Sequence, residues 1–257
     1  MGVSGTRPRA VITGAGVRVG RAIALELASA GFDLALHYRS SRGPVEEVQG
    51  AAEALGAEVF LHQADLATPE GCDDLVKGVL EHWSGLELLV NNASAFDPVP
   101  FGQITVDQWE AMLGINLRAP FLLAQGLLEA LRQGEPARTG APEGQHGVVI
   151  HLCDIGADNP VSGYAHYSVS KAGLVMLVKA MAVELAPAVR TVGLSPGQVC
   201  WPDDYDEAKR ERLSRRIPLG RVGTPADMAT LARFVATEGH YLNGCILPVD
   251  GGLSKRY

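Results

Sequence analysis

Seven short apolar runs, at residues 10–12, 34–36, 59–61, 86–90, 148–152, 189–194 and 246–249, punctuate the chain. They alternate with segments of helical period at 21–30, 45–55, 71–83, 107–132, around Tyr167, and at 225–237. A strand that is apolar at consecutive positions must be covered on both faces, and the intervening helices are the cover this pattern offers. The chain is therefore expected to be α/β, a doubly wound parallel sheet of about seven strands with helices on both faces. With 257 residues, 47% of them hydrophobic, it can bury one full core, so a single domain over residues 1–257 is expected.

Two segments interrupt the alternation. Residues 134–147 (GEPARTGAPEGQHG) are rich in Gly and Pro and are expected to form a mobile surface loop between helix and strand. Residues 198–219 follow a strand end with Pro, Trp and a charged, helix-like run. They read either as a substrate lid over a cleft or as an ordinary surface excursion.

The net charge of −7, with Lys and Arg scattered among acids, leaves no basic patch for a phosphate backbone, so no nucleic-acid partner is expected. Cys72, Cys153, Cys200 and Cys245 show no paired spacing. They are expected to be reduced thiols of a cytoplasmic protein without a metal centre. Residues 1–9 lack an apolar signal region and no apolar run reaches ~18 residues, so neither secretion nor a membrane span is expected. The start MGVSGT formally matches an N-myristoylation signal at Gly2, although a short Gly/Ser-rich start is commonly a frayed terminus.

The first apolar run leads into Thr13, Gly14, Ala15, Gly16, Val17, Arg18, Val19 and Gly20, where the first helix opens. Glycines permit a tight turn and close backbone approach there, so a pyrophosphate can rest on the helix N-terminus, where free N–H groups and the dipole favour anions. The end of the second strand selects the dinucleotide. An NAD site places an Asp or Glu there for the ribose hydroxyls, whereas this chain has His37, Tyr38, Arg39 and Ser40, with Asp33 at the opposite end. Arg39 and Ser40, with Arg18, offer charge-assisted hydrogen bonds to a 2′-phosphate. NADPH is thus the expected cofactor, the alternative being a solvated basic loop. Asp65 and Leu66, after the third strand, stand where an adenine edge would lie, and Asn92 and Ala93, after the fourth, where the adenosine ribose would. Either pair can instead cap the next element.

A second cluster follows the run at 148–152. Asp154 stands at its carboxyl end, where open α/β sheets bind ligands. Tyr167 and Lys171, four residues apart, share one face of the next helix. A phenol beside an ammonium and a carboxylate can deliver a proton. Earlier in the chain, Pro120 lacks an N–H, so the carbonyl of Asn116 loses its helical partner. That opening either anchors a relay water or is a packing kink.

Taken in order, the 13–20 turn, Asp65-Leu66, Asn91-Asn92-Ala93, Asn116, Tyr167 with Lys171, Pro196-Gly197 and Asp250-Gly251-Gly252 resemble the short-chain dehydrogenase/reductase family across nearly the whole chain. The resemblance implies a Rossmann-type sheet and nicotinamide hydride transfer. It further implies Tyr167 as proton donor, Lys171 holding the ribose and lowering the tyrosine pKa, Asn116 anchoring water through its main chain, and a homotetramer or dimer. Pro196 and Gly197 would border the cofactor. Three departures are similar to the pteridine reductases: Asp154 where the family usually has Ser, Arg18 where the turn usually has Gly, and Ser94-Ala95-Phe96 after Asn92-Ala93. That likeness implies a pterin stacked by Phe96 against the nicotinamide, in a site lined by Arg18, Ser94, Asp154 and Tyr167. The segment from His37 to Ser40 also resembles their NADPH-binding stretch. Gln198 replaces the small residue usual in those reductases, and the threonine that many family members carry after Pro-Gly is absent.

Asp154 bears on the chemistry independently of resemblance. A serine hydroxyl can donate to a ketone oxygen that becomes negative, whereas an ionised carboxylate repels that charge. It suits an imine-type ring, where hydride adds to carbon and the neighbouring nitrogen takes a proton from Tyr167, assisted by Asp154. Burial would raise the Asp pKa toward working pH. The expected activity is NADPH-dependent reduction of a small pterin or dihydrofolate-like ring. Two other readings stay open. One is a carbonyl reductase, for example of a 3-oxoacyl thioester, with Asp154 protonated or bypassed. The other is a non-catalytic NADP(H)-binding redox sensor, which would not need Asn116, Tyr167 and Lys171. Asp154 can also simply cap the following turn, and Phe96 can belong to the core.

Overall fold

The computed structural model describes residues 7–201 and 206–256, so the Gly2 signal lies outside the described residues. The first half runs β1 (Arg9–Ile12), α1 (Arg18–Ser29), β2 (Asp33–Tyr38), α2 (Arg42–Ala54), β3 (Val59–Gln63), α3 (Pro69–His82) and β4 (Leu88–Asn91). It continues through α4 (Val106–Leu113), α5 (Ala119–Gly126), α6 (Leu128–Arg132) and the short α7 (Pro136–Thr139). The second half runs β5 (Gly147–Leu152), α8 (Ala165–Glu184), β6 (Val189–Pro196), α9 (Glu207–Ser214), α10 (Pro225–Thr237) and β7 (Ile246–Val249).

The strands form one parallel sheet in the order β3-β2-β1-β4-β5-β6-β7. Neighbouring strand residues point to opposite faces, and each face meets its own core. Ile12, Leu34, Leu36 and Val192 pack with Ile23 and Leu27 of α1 and Met228 and Val235 of α10. Val11, Leu89 and Val149 pack with Leu75 and Val79 of α3 and Leu123 of α5. Each such Leu, Ile or Val adds about 1.5–3 kcal/mol of burial free energy, which is why the central strands read as unbroken apolar runs.

The strand order reverses at β1. The chain steps outward to β2 and β3, then returns to place β4 on the other side, which opens a crevice above the carboxyl ends of β1 and β4. The termini of β1 to β6 therefore present the candidate residues to one rim.

Two local features differ from simple expectation. The helix expected over 107–132 is a relay of α4, α5 and α6, with Gly114–Arg118 wound as a π-helical turn between α4 and α5. Pro120 supplies the cause, since it removes the N–H that would bond the Asn116 carbonyl; single π turns recur at functional sites.

The Gly/Pro-rich 134–147 segment is not a free loop. The carboxylate of Glu87, whose side chain is fully buried, accepts from the backbone N–H of Arg9 (2.7 Å) and of Glu135 (2.9 Å), and pairs with Arg138 at 3.2 Å. Composition reports the turns, but the anchor lies far away in sequence.

In the 198–219 segment, residues 202–205 lie outside the described residues. Its far end is held by the C-terminal glycines: Leu219 N–H donates to the Gly251 carbonyl (3.1 Å), and Ile217 is buried against Gly251. Among the described residues, no helix is long and apolar enough to cross a membrane.

Candidate active site

A cleft of about 860 Å³ lies over the switch point. Its walls include Gly14, Gly16, Arg18 and Gly20 from the first turn and His37, Tyr38, Arg39 and Ser40 from the end of β2. Val19, Asp65, Leu66, Asn92, Ala93, Ser94 and Phe96 also reach it. The cofactor residues expected from sequence are thus mostly brought together, and the local chemistry fits a dinucleotide. α1 starts at Val17 without a side-chain cap and with no acidic residue in its first turn. Its free N–H groups are available to a pyrophosphate.

The turn is shaped by contacts that admit only particular residues. A Cβ on Gly20 would lie 2.2 Å from the Gly14 carbonyl oxygen, so glycine is required there. Arg18 is the non-glycine residue with positive φ (49°) among the described residues. A left-handed arginine costs on the order of 1 kcal/mol, and in return its exposed side chain stands at the cleft mouth.

Several of these residues also build the scaffold of the turn. Thr13 is buried beneath the turn; its hydroxyl accepts from the N–H groups of Asn92 and Ala93, both at 2.9 Å. Asn92 Nδ2 donates to the carbonyls of Thr13 (2.8 Å) and Gly14 (3.0 Å). His37 is buried, with Nδ1 accepting from Gly14 N–H at 3.1 Å and Nε2 donating to the Ala64 carbonyl at 3.0 Å. Burial holds its imidazole down to about 4, against the raising effect of the Ala64 bond. Neutral His37 therefore pins the turn to β3 and carries no charge toward a phosphate. Asp65 Oδ1 caps Ala67 N–H at 3.0 Å, which realises the capping alternative while Asp65 still lines the cleft.

On the other side of the rim, β5 and α8 bring the proton-delivery residues together. The Tyr167 hydroxyl donates to Asp154 Oδ2 at 2.8 Å, and Gly156 N–H donates to Oδ1 at 2.6 Å. Lys171 Nζ donates to the Leu152 carbonyl at 2.7 Å and lies 5.7 Å from the Tyr167 ring centre. Burial raises the Asp154 carboxyl, against the pull of Gly156 N–H, the Tyr167 hydroxyl and Lys171. Burial, followed by the Asp154 charge, pushes the Tyr167 phenol far above its ordinary range. Burial also lowers the Lys171 ammonium, against the raising effect of the Asp154 charge.

Asn116 joins this pair to the substrate side. Its Oδ1 accepts from Ser94 Oγ (2.8 Å) and Ala95 N–H (3.0 Å), while Nδ2 donates to the Ala95 carbonyl (3.1 Å) and to Ser170 Oγ (3.0 Å). Ser170 in turn donates to the Tyr167 carbonyl at 2.7 Å. One buried amide therefore ties the loop carrying Phe96 to the helix carrying Tyr167. Phe96 is 55% exposed, so the core alternative fails for it. Its ring stacks on Tyr164 at 4.3 Å and meets Tyr167 edge-on at 4.7 Å.

Other residues stand apart. Gln198 Nε2 donates back to the Cys200 carbonyl and does not line the cleft, and Pro196 and Gly197 are likewise absent from its wall. Gly197 is explained by packing, since a Cβ there would lie 2.7 Å from that of Asp250. Sequence reasoning missed His166 and Tyr164. His166 is buried, lines the cleft, and its Nδ1 has no hydrogen-bond partner among the described residues. A lone helical histidine carries no sequence signal, whereas an aromatic three residues before Tyr167 could have been noticed.

A family model described as enoyl-(acyl carrier protein) reductase matches residues 14–254. The chain is 30% identical to the 3-oxoacyl-(acyl-carrier-protein) reductase of Synechocystis sp. over 247 residues, covering 95% of this chain and 96% of that one. It is also 30% identical to the L-rhamnose 1-dehydrogenase (NAD(P)(+)) of Sphingomonas sp. over 249 residues, covering 95% and 94%. A crystal structure of a putative short-chain alcohol dehydrogenase from Sinorhizobium meliloti superposes with a TM-score of 0.85 at 26% identity, covering 96% of both chains. With the ordered motifs, the switch-point cleft and the Tyr167–Lys171 pair on α8, these matches show that the chain belongs to the short-chain dehydrogenase/reductase family of oxidoreductases.

Proposed function

We propose that the protein is a cytoplasmic, NADPH-dependent reductase of a pterin or dihydrofolate-like ring, assembled as a homo-oligomer. The observation that carries this reading is the 2.8 Å contact between Tyr167 and Asp154. Once Asp154 has passed its proton on, its carboxylate opposes a ketone oxygen that turns negative as the hydride arrives, but it stabilises a ring nitrogen that is protonated ahead of the hydride. Bound NADPH supplies the hydride. Gly14, Gly20 and the α1 N-terminus would hold its pyrophosphate, and Arg39, Ser40 and Arg18 its 2′-phosphate.

The proton path follows from the Tyr167–Asp154 contact. Tyr167 gives its proton to the ring nitrogen, the Asp154 carboxyl, which burial makes harder to ionise, gives one to Tyr167, and solvent returns a proton to Asp154 before the next turnover. No tyrosinate then has to form against a carboxylate. Lys171 holds the ribose and faces the Tyr167 ring, and Asn116 keeps Ser94 and Phe96 in register with the pair.

A second reading is reduction of a carbonyl, for example of a 3-oxoacyl thioester. The name of the Synechocystis relative favours it over the pterin reading. It requires Asp154 to stay protonated through the reaction. The test is NADPH oxidation by the purified protein against 7,8-dihydropterins, dihydrofolate, a 3-oxoacyl thioester and simple ketones. Turnover confined to the pteridine rings is expected; turnover confined to thioester or ketone establishes the second reading instead.

A further inference from the structure

Phe96, Tyr164 and Tyr167 form a triad whose geometry says more than any pair within it. Tyr164 lies parallel to Phe96, with centres 4.3 Å apart and planes 12° apart. Tyr167 lies 4.7 Å from Phe96 at 77°, and 6.4 Å separates the two tyrosine rings. These three separations make a near right angle at Phe96. Tyr164 therefore covers one face of the Phe96 ring, Tyr167 meets its rim, and among the described residues no ring stacks on the opposite face. That accounts for the high exposure of a ring touching two others, and Phe96 lines the cleft.

The backbone around the triad is anchored at both ends. Asn116 fixes Ser94 and Ala95. Val99 N–H donates to the Gly163 carbonyl at 2.8 Å, and Gly163 holds a φ of 84° immediately before Tyr164. The plane of Phe96, between these anchors, is set by ring contacts.

Resting on the pteridine-ring reading above, we infer that Tyr164 is a positioning residue that selects planar conjugated substrates. It backs Phe96 so that the ring presents a fixed flat face to the cleft. A conjugated heterocycle makes a third layer on that face, with its reacting edge beside Tyr167. A flexible aliphatic ketone gains nothing from the plate. Offset or parallel stacking at such separations is the favourable geometry for aromatic pairs.

The test compares wild type with Tyr164→Ala, Tyr164→Leu, Tyr164→Phe, Phe96→Ala and the Phe96→Ala/Tyr164→Ala double variant, using a 7,8-dihydropterin and NADPH. Tyr164→Ala and Tyr164→Leu are expected to raise KM for the dihydropterin on the order of threefold to tenfold, the size of one aromatic pair. Their kcat and NADPH Kd should change little, and Tyr164→Phe should restore the wild-type KM. The double variant should be no worse than Phe96→Ala alone, because Tyr164 acts through Phe96. Tyr164→Leu keeps bulk at the start of α8, so it reads out the loss of stacking if the alanine variant does not fold. Wild-type turnover with an unchanged KM in Tyr164→Leu, or losses that add in the double variant, overturns the role of Tyr164 alone. A wild type inert toward every dihydropterin overturns the ring reading and this inference together.

Discussion

At the residue scale, His37 shows how a side chain chosen by sequence position can serve a different end. It stands where a 2′-phosphate site needs polar groups, yet both ring nitrogens are used to fasten the glycine turn. Its imidazole is held down to about 4 from 6.5. Between these two pH values the unfolded chain binds a proton that the folded chain does not, so stability falls as pH drops from 6.5 toward 4. The shift corresponds to about 3 kcal/mol. Buried His151, held down to about 3, adds a slope of the same sign. Urea unfolding of the cofactor-free protein at pH 7 and pH 5 should show the loss, and His37→Gln should flatten part of it. An identical slope in the variant removes His37 from the account.

At the element scale, the long loop before β5 depends on one buried carboxylate. Glu87 is fully buried, and Arg138 is the cation facing it. Arg138→Ala leaves that charge without its counter-ion, although two backbone N–H groups still donate to it. Breaking a buried pair from one side costs about 3 kcal/mol or more, so the denaturation midpoint should fall clearly; a shift under about 0.5 kcal/mol, as for an ordinary surface substitution, would remove the anchor. The elements themselves were legible because β1, β4 and β5 each carry a run of three consecutive apolar residues and the turn chemistry at Gly14 and Gly20 is local. The anchor was not, since nothing in GEPARTGAPEGQHG announces a partner at the amino end of β4. For the same reason Pro120 was legible as an interruption, but the π turn it produces was not.

At the scale of the whole molecule, the switch point gathers residues from six strand ends onto one rim, and this positions both halves of the site. Sequence order alone suggested most of the cleft wall, because the Gly14–Gly20 turn, Arg39, Ser40, Asp65, Asn92 and Ala93 each follow a strand closely. It did not show that Thr13 lies under the turn, that Asn92 fastens it, that Gln198 folds back on its own loop, or that Tyr164 backs Phe96. Those facts depend on contacts between distant segments and on side-chain direction. The family is one of oxidoreductases; the proposed substrate class rests on one carboxylate beside Tyr167. The most direct measurement is kcat/KM with NADPH for a 7,8-dihydropterin and for a 3-oxoacyl thioester, in wild type and in Asp154→Ser. Wild type should favour the pterin, and the serine variant should lose about 100-fold on it while gaining on the thioester. A wild type that favours the thioester, or a variant whose preference does not move, would contradict the role given to Asp154.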